Sequence, residues 1–258
     1  MSALISYNIK RSVTHKMTSS SNRKEAGMNT VTCKVTKLEK LNDHVYLVEL
    51  SAHQPLVFEA GQYLQVVMSE KDKRPFSIAS APGSHTLELH IGVMPGNTYA
   101  SEVIDLCQAL GEITVEVGLG RAQLRTDSPR PVILLAGGTG FSYIQSIAQQ
   151  LAHLKPGHKV LCYWGGKHPT DLYAHEQMEH WQHSHNAYQF VPVVEHPDDH
   201  WPGKTGYVHQ ALLDDIHDLQ DYDIYAAGSF DMMRIVRDDL TAKGAVVEQM
   251  YSDAFAYL

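Results

Sequence analysis

The chain has 258 residues, with 43% hydrophobic and 19% charged residues and a formal charge of −8. That balance fits one or two globular domains with real cores and disfavours nucleic acid as a bulk partner. No apolar run approaches the roughly 18 to 20 residues of a membrane helix. Cys33, Cys107 and Cys162 are widely spaced and form no CxxC pair, which disfavours a zinc ribbon or a cysteine-ligated cluster and suits a reducing cytoplasm.

Residues 1–27 differ from the rest: Lys10, Arg11, Lys16, Arg23 and Lys24 stand against Glu25, beside a serine cluster. The segment reads as a disordered or non-native extension before Met28, in preference to a transit peptide. From Thr30, short runs alternate at period two: "TCKVTKLEKL", "HVYLVELS", "QYLQVVMS", "HTLELHIG" and, after the helical "NTYASEVIDLCQAL", "EITVEVGLG". Such spacing predicts an antiparallel β-barrel over 28–125. Within it, "DKRPFSIAS" places Arg74, Pro75, Phe76 and Ser77 on what reads alone as an edge strand.

Over 126–258 the pattern changes to near-continuous apolar runs: "PVILLAGG", "KVLCYWGG", "YQFVPVVE", "YDIYAAGS" and "VVEQMYSD". Helical stretches separate them, so the expectation is an α/β doubly wound, parallel, five-stranded sheet. "AGGTGFSYIQSI" ends the first of these strands and opens a helix. Gly137, Gly138 and Gly140 leave the backbone bare, Thr139 and Ser142 can cap the helix or donate to an anion, and the helix start favours a phosphate. The dinucleotide fingerprint wants a third glycine where Tyr143 stands. Two further strand ends carry glycine: "YAAGSFDMMRIV", with Gly228, Ser229 and Phe230, and "YWGGKHPTDLYA", with Lys167 placed for a ribose or its phosphate. Ligands of open parallel sheets collect at such ends. His180, His183 and His185 lack a completing carboxylate or cysteine and read as surface. No Gly-x-Ser-x-Gly, HExxH or GKT motif anchors a hydrolase, metalloprotease or NTPase reading.

The order "RPFS", "GGTG", "AGSFDMM" and C-terminal "YSDAFAYL" resembles the ferredoxin–NADP reductase-like superfamily. Within it, the chain is most similar to the bacterial NAD(P)H–flavin oxidoreductases of the general flavin reductase and luminous-bacteria flavin reductase type, over about residues 29 to 258. The resemblance implies a flavin-binding barrel followed by a nicotinamide-binding sheet. It implies that Ser77 hydrogen-bonds at the flavin N5 and is catalytic, and that Pro75 and Phe76 shape the ring pocket. Arg74 would face the ribityl or phosphate end, with Ile78 and Ser80 completing the stretch. Phe255 and Tyr257 would cover the ring, and Asp253 would lie near N1 or the nicotinamide amide; a last strand packing on the sheet is the alternative for these three. Gly137, Gly138, Thr139, Gly140, Lys167, Gly228, Ser229, Phe230 and Asp253 would hold NADH or NADPH.

Two departures bear on how tightly flavin is held: Phe76 replaces a usual tyrosine, and "GVMPGNTYASEV" poorly matches the segment that grips pyrophosphate. A third departure, Ala227-Gly228-Ser229 in place of a Cys-Gly-Pro type motif, lies beside the expected nicotinamide and bears on hydride transfer or on the room there. The first two favour FMN, FAD or riboflavin as a diffusing substrate, whose reduced form serves a monooxygenase, luciferase or ferric acceptor. The alternatives are an electron-transfer subunit with tightly bound flavin and a nucleotide-responsive module without activity.

Overall fold

A computed structural model describes residues 29–258; the expectation for 1–27 lies outside the described residues. The first sheet contains β1 (Asn29–Lys40), β2 (Val45–Ser51), β3 (Tyr63–Val67), β4 (Lys73–Ser77), β5 (Thr86–Gly92) and β6 (Glu112–Leu119), with α1 (Thr98–Leu110) between the last two. Its order is β4-β3-β6-β1-β2-β5, antiparallel throughout. The two ends of the sheet meet beyond β4, where Ala79 N–H donates to Glu88 O on β5 at 2.7 Å. Alternation then puts one face inside: Val48, Leu50, Leu64, Val66, Leu87, Leu89 and Val115 pack against Val103, Ile104 and Cys107 of α1. Asn97 caps α1 by accepting from Tyr99 N–H, and Gly111 ends it in the left-handed conformation at φ 67°.

The second sheet contains β7 (Val132–Gly137), β8 (Val160–Gly166), β9 (Tyr188–Val194), β10 (Lys204–Thr205), β11 (Asp223–Ala227) and β12 (Met250–Tyr251), in the order β10-β9-β8-β7-β11-β12 and all parallel. All five apolar runs supply strands, although "VVEQMYSD" gives only two strand residues. The sheet carries one more strand than expected, the two-residue β10. Helices α2 (Phe141–Leu154), α3 (His175–Ser184), α4 (Val208–Asp215) and α5 (Phe230–Ala242) connect them. Burial explains the continuous apolar runs. Leu134, Ala136, Cys162 and Trp164 face α2 and α3, while Ile133, Leu135, Leu161 and Tyr163 face α4 and α5. Each face buries its own core, so the strands have no polar side. Among the described residues, no helix is long and apolar enough to cross a membrane.

Candidate active site

β4 is an edge strand, and antiparallel pairing sets Tyr63 opposite Ser77 and Gln65 opposite Pro75. Pro75 is exposed, and Phe76 and Ser77 are half-buried. An edge accommodates the proline, which has no N–H to give to a neighbour. Ile78 and Ser80 turn inward instead. Ile78 lies in the barrel core, and the Ser80 hydroxyl accepts from Glu88 N–H at 3.1 Å while its carbonyl accepts from Ser146 Oγ at 2.8 Å. Their side chains hold the strand end in place and offer little surface to a ligand.

Arg74 is only 7% exposed and is fully engaged. Its guanidinium donates to both Asp72 carboxylate oxygens, at 3.0 and 2.7 Å, to Glu102 at 2.6 Å and to the Tyr99 carbonyl. It also lies 4.7 Å from the centre of the Tyr99 ring. Two carboxylates therefore meet one cation at the start of α1.

The C-terminal segment, a 3-10 turn over Asp253–Tyr257, reaches back to this strand pair. Asp253 Oδ1 accepts from Arg121 N–H at 3.0 Å. Gly120 makes room: at φ 97°, a Cβ there would stand 2.6 Å from Asp253 Oδ2 and 3.0 Å from Tyr63 Cδ1. Asp253, Tyr63 and Ser77 thus share one corner of the molecule. Burial raises the Asp253 carboxyl, against the lowering effect of the Arg121 and Ala122 amides. Burial and then the neighbouring Asp253 and Tyr257 raise the Tyr63 phenol. Of the two expected cover residues, Phe255 packs against the core under α5. Tyr257 is 78% exposed and meets Phe230, itself 57% exposed, edge-on at 6.1 Å.

On the sheet side, β7 runs into a 3-10 turn over Gly138–Gly140 and then α2. Gly138 has φ 53° with nothing within 4 Å of a built Cβ, whereas a Cβ on Gly140 would meet Ala227 O at 2.5 Å. One glycine leaves the turn open and the other permits close packing. No side-chain hydrogen bond caps α2 among the described residues, and the Phe141 N–H at its start turns back to the Gly138 and Thr139 carbonyls of the 3-10 turn. The chain leaves β7 toward β8 on one side and toward β11 on the other, the switch point where nucleotides bind. Gly137 and Gly228 flank it. The Met232 sulfur lies 2.5 Å from where either Cβ would be, so a thioether spans both strand ends. Ser229 caps α5 by accepting from Met232 N–H. Lys167 is exposed at the end of β8, where its N–H and that of His168 both donate to Asp171 Oδ2. Thr139 touches the barrel: its Cγ2 lies 3.2 Å from a Cβ built on Gly92 at the end of β5.

The sheet side therefore offers a dinucleotide a helix start without a side-chain cap and an open glycine at the switch point of the strand order. A family model described as an oxidoreductase NAD-binding domain matches residues 134–238. The NAD(P)H-flavin reductase of Aliivibrio fischeri is 43% identical over 235 residues, covering 88% of this chain and 99% of that one. The chain belongs to the NAD(P)H-flavin reductase family. The reductase of the same name from Vibrio harveyi is 42% identical over 236 residues, with 89% and 100% covered. A solved structure titled ferredoxin reductase in carbazole 1,9a-dioxygenase has a similar fold, with a TM-score of 0.79 over 88% of this chain and 70% of that one, at 22% identity. Tyr63, Gly120, Asp72, Glu102 and Met232 were not singled out in the sequence as site residues. The hairpin register would have signalled Tyr63, and the spacing within "DKR" would have signalled Asp72.

Proposed function

We propose that this flavin reductase acts on a diffusible flavin, FMN, FAD or riboflavin, and releases it reduced for an oxygenase, luciferase or ferric acceptor. The observation that carries this reading is the state of Arg74. Asp72 and Glu102 outweigh its charge, so Arg74 is not a surplus cation for gripping a phosphate. A flavin held by its ring alone leaves readily. NADH or NADPH sits at the sheet's carboxyl edge, on Gly137, Gly138, Thr139, Gly140, Gly228 and Ser229, with Lys167 toward the ribose and Phe230 at the rim. The bound pair supplies the redox chemistry, hydride from nicotinamide C4 to flavin N5.

The chain's part is alignment and exclusion of water. The Ser77 hydroxyl orients the acceptor at N5 and helps move a proton there, while Pro75 and Phe76 shape the ring pocket. Tyr257 covers the mouth beside Phe230. Asp253 anchors the C-terminal turn to the barrel through Arg121, which keeps Tyr257 in reach. Three separate buried thiols support a reducing, cytoplasmic setting.

Ser77→Ala tests the role at N5. It is expected to keep the fold and slow flavin reduction by roughly ten- to a thousand-fold. Unchanged single-turnover reduction would remove Ser77 from the mechanism.

A further inference from the structure

A buried cluster lies in the seam between the barrel and the sheet, behind the glycine turn. β5 sends His90 into it, only 7% exposed. His90 Nε2 is 2.8 Å from Glu88 Oε1, and Nδ1 is 3.0 Å from the Tyr173 hydroxyl. Gln145 Nε2 donates to the same Glu88 oxygen at 2.9 Å. Burial alone raises the Glu88 carboxyl. His90, through its hydrogen bond and its charge, then the Gln145 hydrogen bond and the Lys37 charge together outweigh burial and lower it. An ionised Glu88 only accepts, so Nε2 donates to it, and the Tyr173 hydroxyl holds the other side of the ring at Nδ1. Burial keeps the Tyr173 phenol protonated, far above its usual range.

Four rings continue the path. Phe141 stacks on Trp164 at 3.9 Å and 18° and lies parallel to His90 at 6.1 Å and 8°. Tyr173 stands edge-on to His90, Phe141 and Trp164 at 5.2, 6.0 and 5.0 Å. At the far end, Trp164 Nε1–H donates to Gly138 O at 2.9 Å. In a trans peptide the carbonyl and the following N–H point opposite ways. Fixing the Gly138 carbonyl on the indole therefore aims the Thr139 N–H away from it.

We propose that His90, Tyr173 and Trp164 are positioning residues for the nucleotide turn: they set the Gly138–Thr139 peptide, and so the Thr139 N–H offered to the NAD(P)H pyrophosphate, and tie that setting to β5 of the barrel. The proposal rests on the reading of the turn as the nicotinamide-nucleotide site. The Phe141 N–H also donates to the Gly138 carbonyl within the 3-10 turn; the indole adds a second donor, held by a packed ring outside the turn, at a glycine whose backbone is otherwise permissive.

Steady-state kinetics with NADH, NADPH and riboflavin test it. Trp164→Phe removes the indole N–H and keeps an aromatic ring; Tyr173→Phe removes only the hydroxyl. Each is expected to raise KM for the reduced nicotinamide about three- to tenfold and to leave KM for riboflavin within about twofold. His90→Leu is expected to do the same, and His90→Gln, whose amide offers one donor and one acceptor, to recover most of the loss. Unchanged nicotinamide KM values in the Trp164 and Tyr173 variants would overturn the proposal. So would a joint shift of both KM values with a lowered Tm, the mark of a purely structural role. Gly138→Asn, which tolerates positive φ and places a side chain in the open space, reports on the underlying reading. If it leaves nicotinamide KM unchanged, the turn is not the nucleotide site. If it raises KM while Trp164→Phe does not, the positioning role alone fails.

Discussion

Arg74 brings one positive charge to a place already holding two negative ones. The Asp72 pair is bidentate and close in sequence, while Glu102 comes from α1 with its side chain 49% exposed. Removing the Glu102 charge leaves Arg74 and Asp72 neutral together, so the region loses a net negative charge and repels phosphate less. Glu102→Gln is therefore expected to improve KM for FMN relative to riboflavin by about two- to fivefold, a modest change because exposed charges are screened. Measuring the two KM values at low and physiological salt checks it, since the gain should shrink with salt. Much of this was legible in "DKRPFS": the strand and the acid two residues before the arginine are on the page. Glu102 was not, because a partner 28 residues away is fixed by where α1 packs.

At the scale of elements, the glycine turn shows why a partial fingerprint still builds a nucleotide-type corner. Tyr143 stands where the motif wants glycine, yet α2 packs well. Its ring is buried and its hydroxyl donates to Ala122 O at 2.6 Å, joining helix to linker. The space comes from the other side of the seam. Gly61, at φ 91°, would place a Cβ 3.0 Å from Tyr143 Cε2 and 3.0 Å from Ala122 O. The small residue has moved from the helix to the barrel, and Tyr143 now belongs to the joint between the two sheets. Tyr143→Phe is expected to lower stability by about 1 to 2 kcal/mol in urea unfolding by leaving the buried Ala122 carbonyl without its donor. Nicotinamide KM should change little. Period and length revealed the long strands and all five helices. They did not reveal β10, because a two-residue ladder carries no period, nor the pairing of Gly61 with Tyr143 across 82 residues of sequence, which only the packed seam creates.

For the whole molecule, burial also decides the chemistry of the thiols. It pushes Cys33 and Cys107 up to about 11 and Cys162 up to about 12, from 9.0. Folded values above the unfolded one contribute stability that is complete below pH 9 and is lost as pH rises through 11. The native protein should resist iodoacetamide at pH 8, all three cysteines should react after unfolding, and Tm should fall between pH 9 and 11. Mass spectrometry and thermal melts read these outcomes. The central claim is that two sheets hold a nicotinamide nucleotide against a flavin that comes and goes. Oxidation of NADH and NADPH by the purified, dialysed protein, with and without added FMN, FAD or riboflavin, tests it most directly. The account predicts a colourless protein that turns over only when flavin is added. A yellow protein that reduces an acceptor without added flavin would contradict it, and would mean that flavin is held despite the neutralised Arg74.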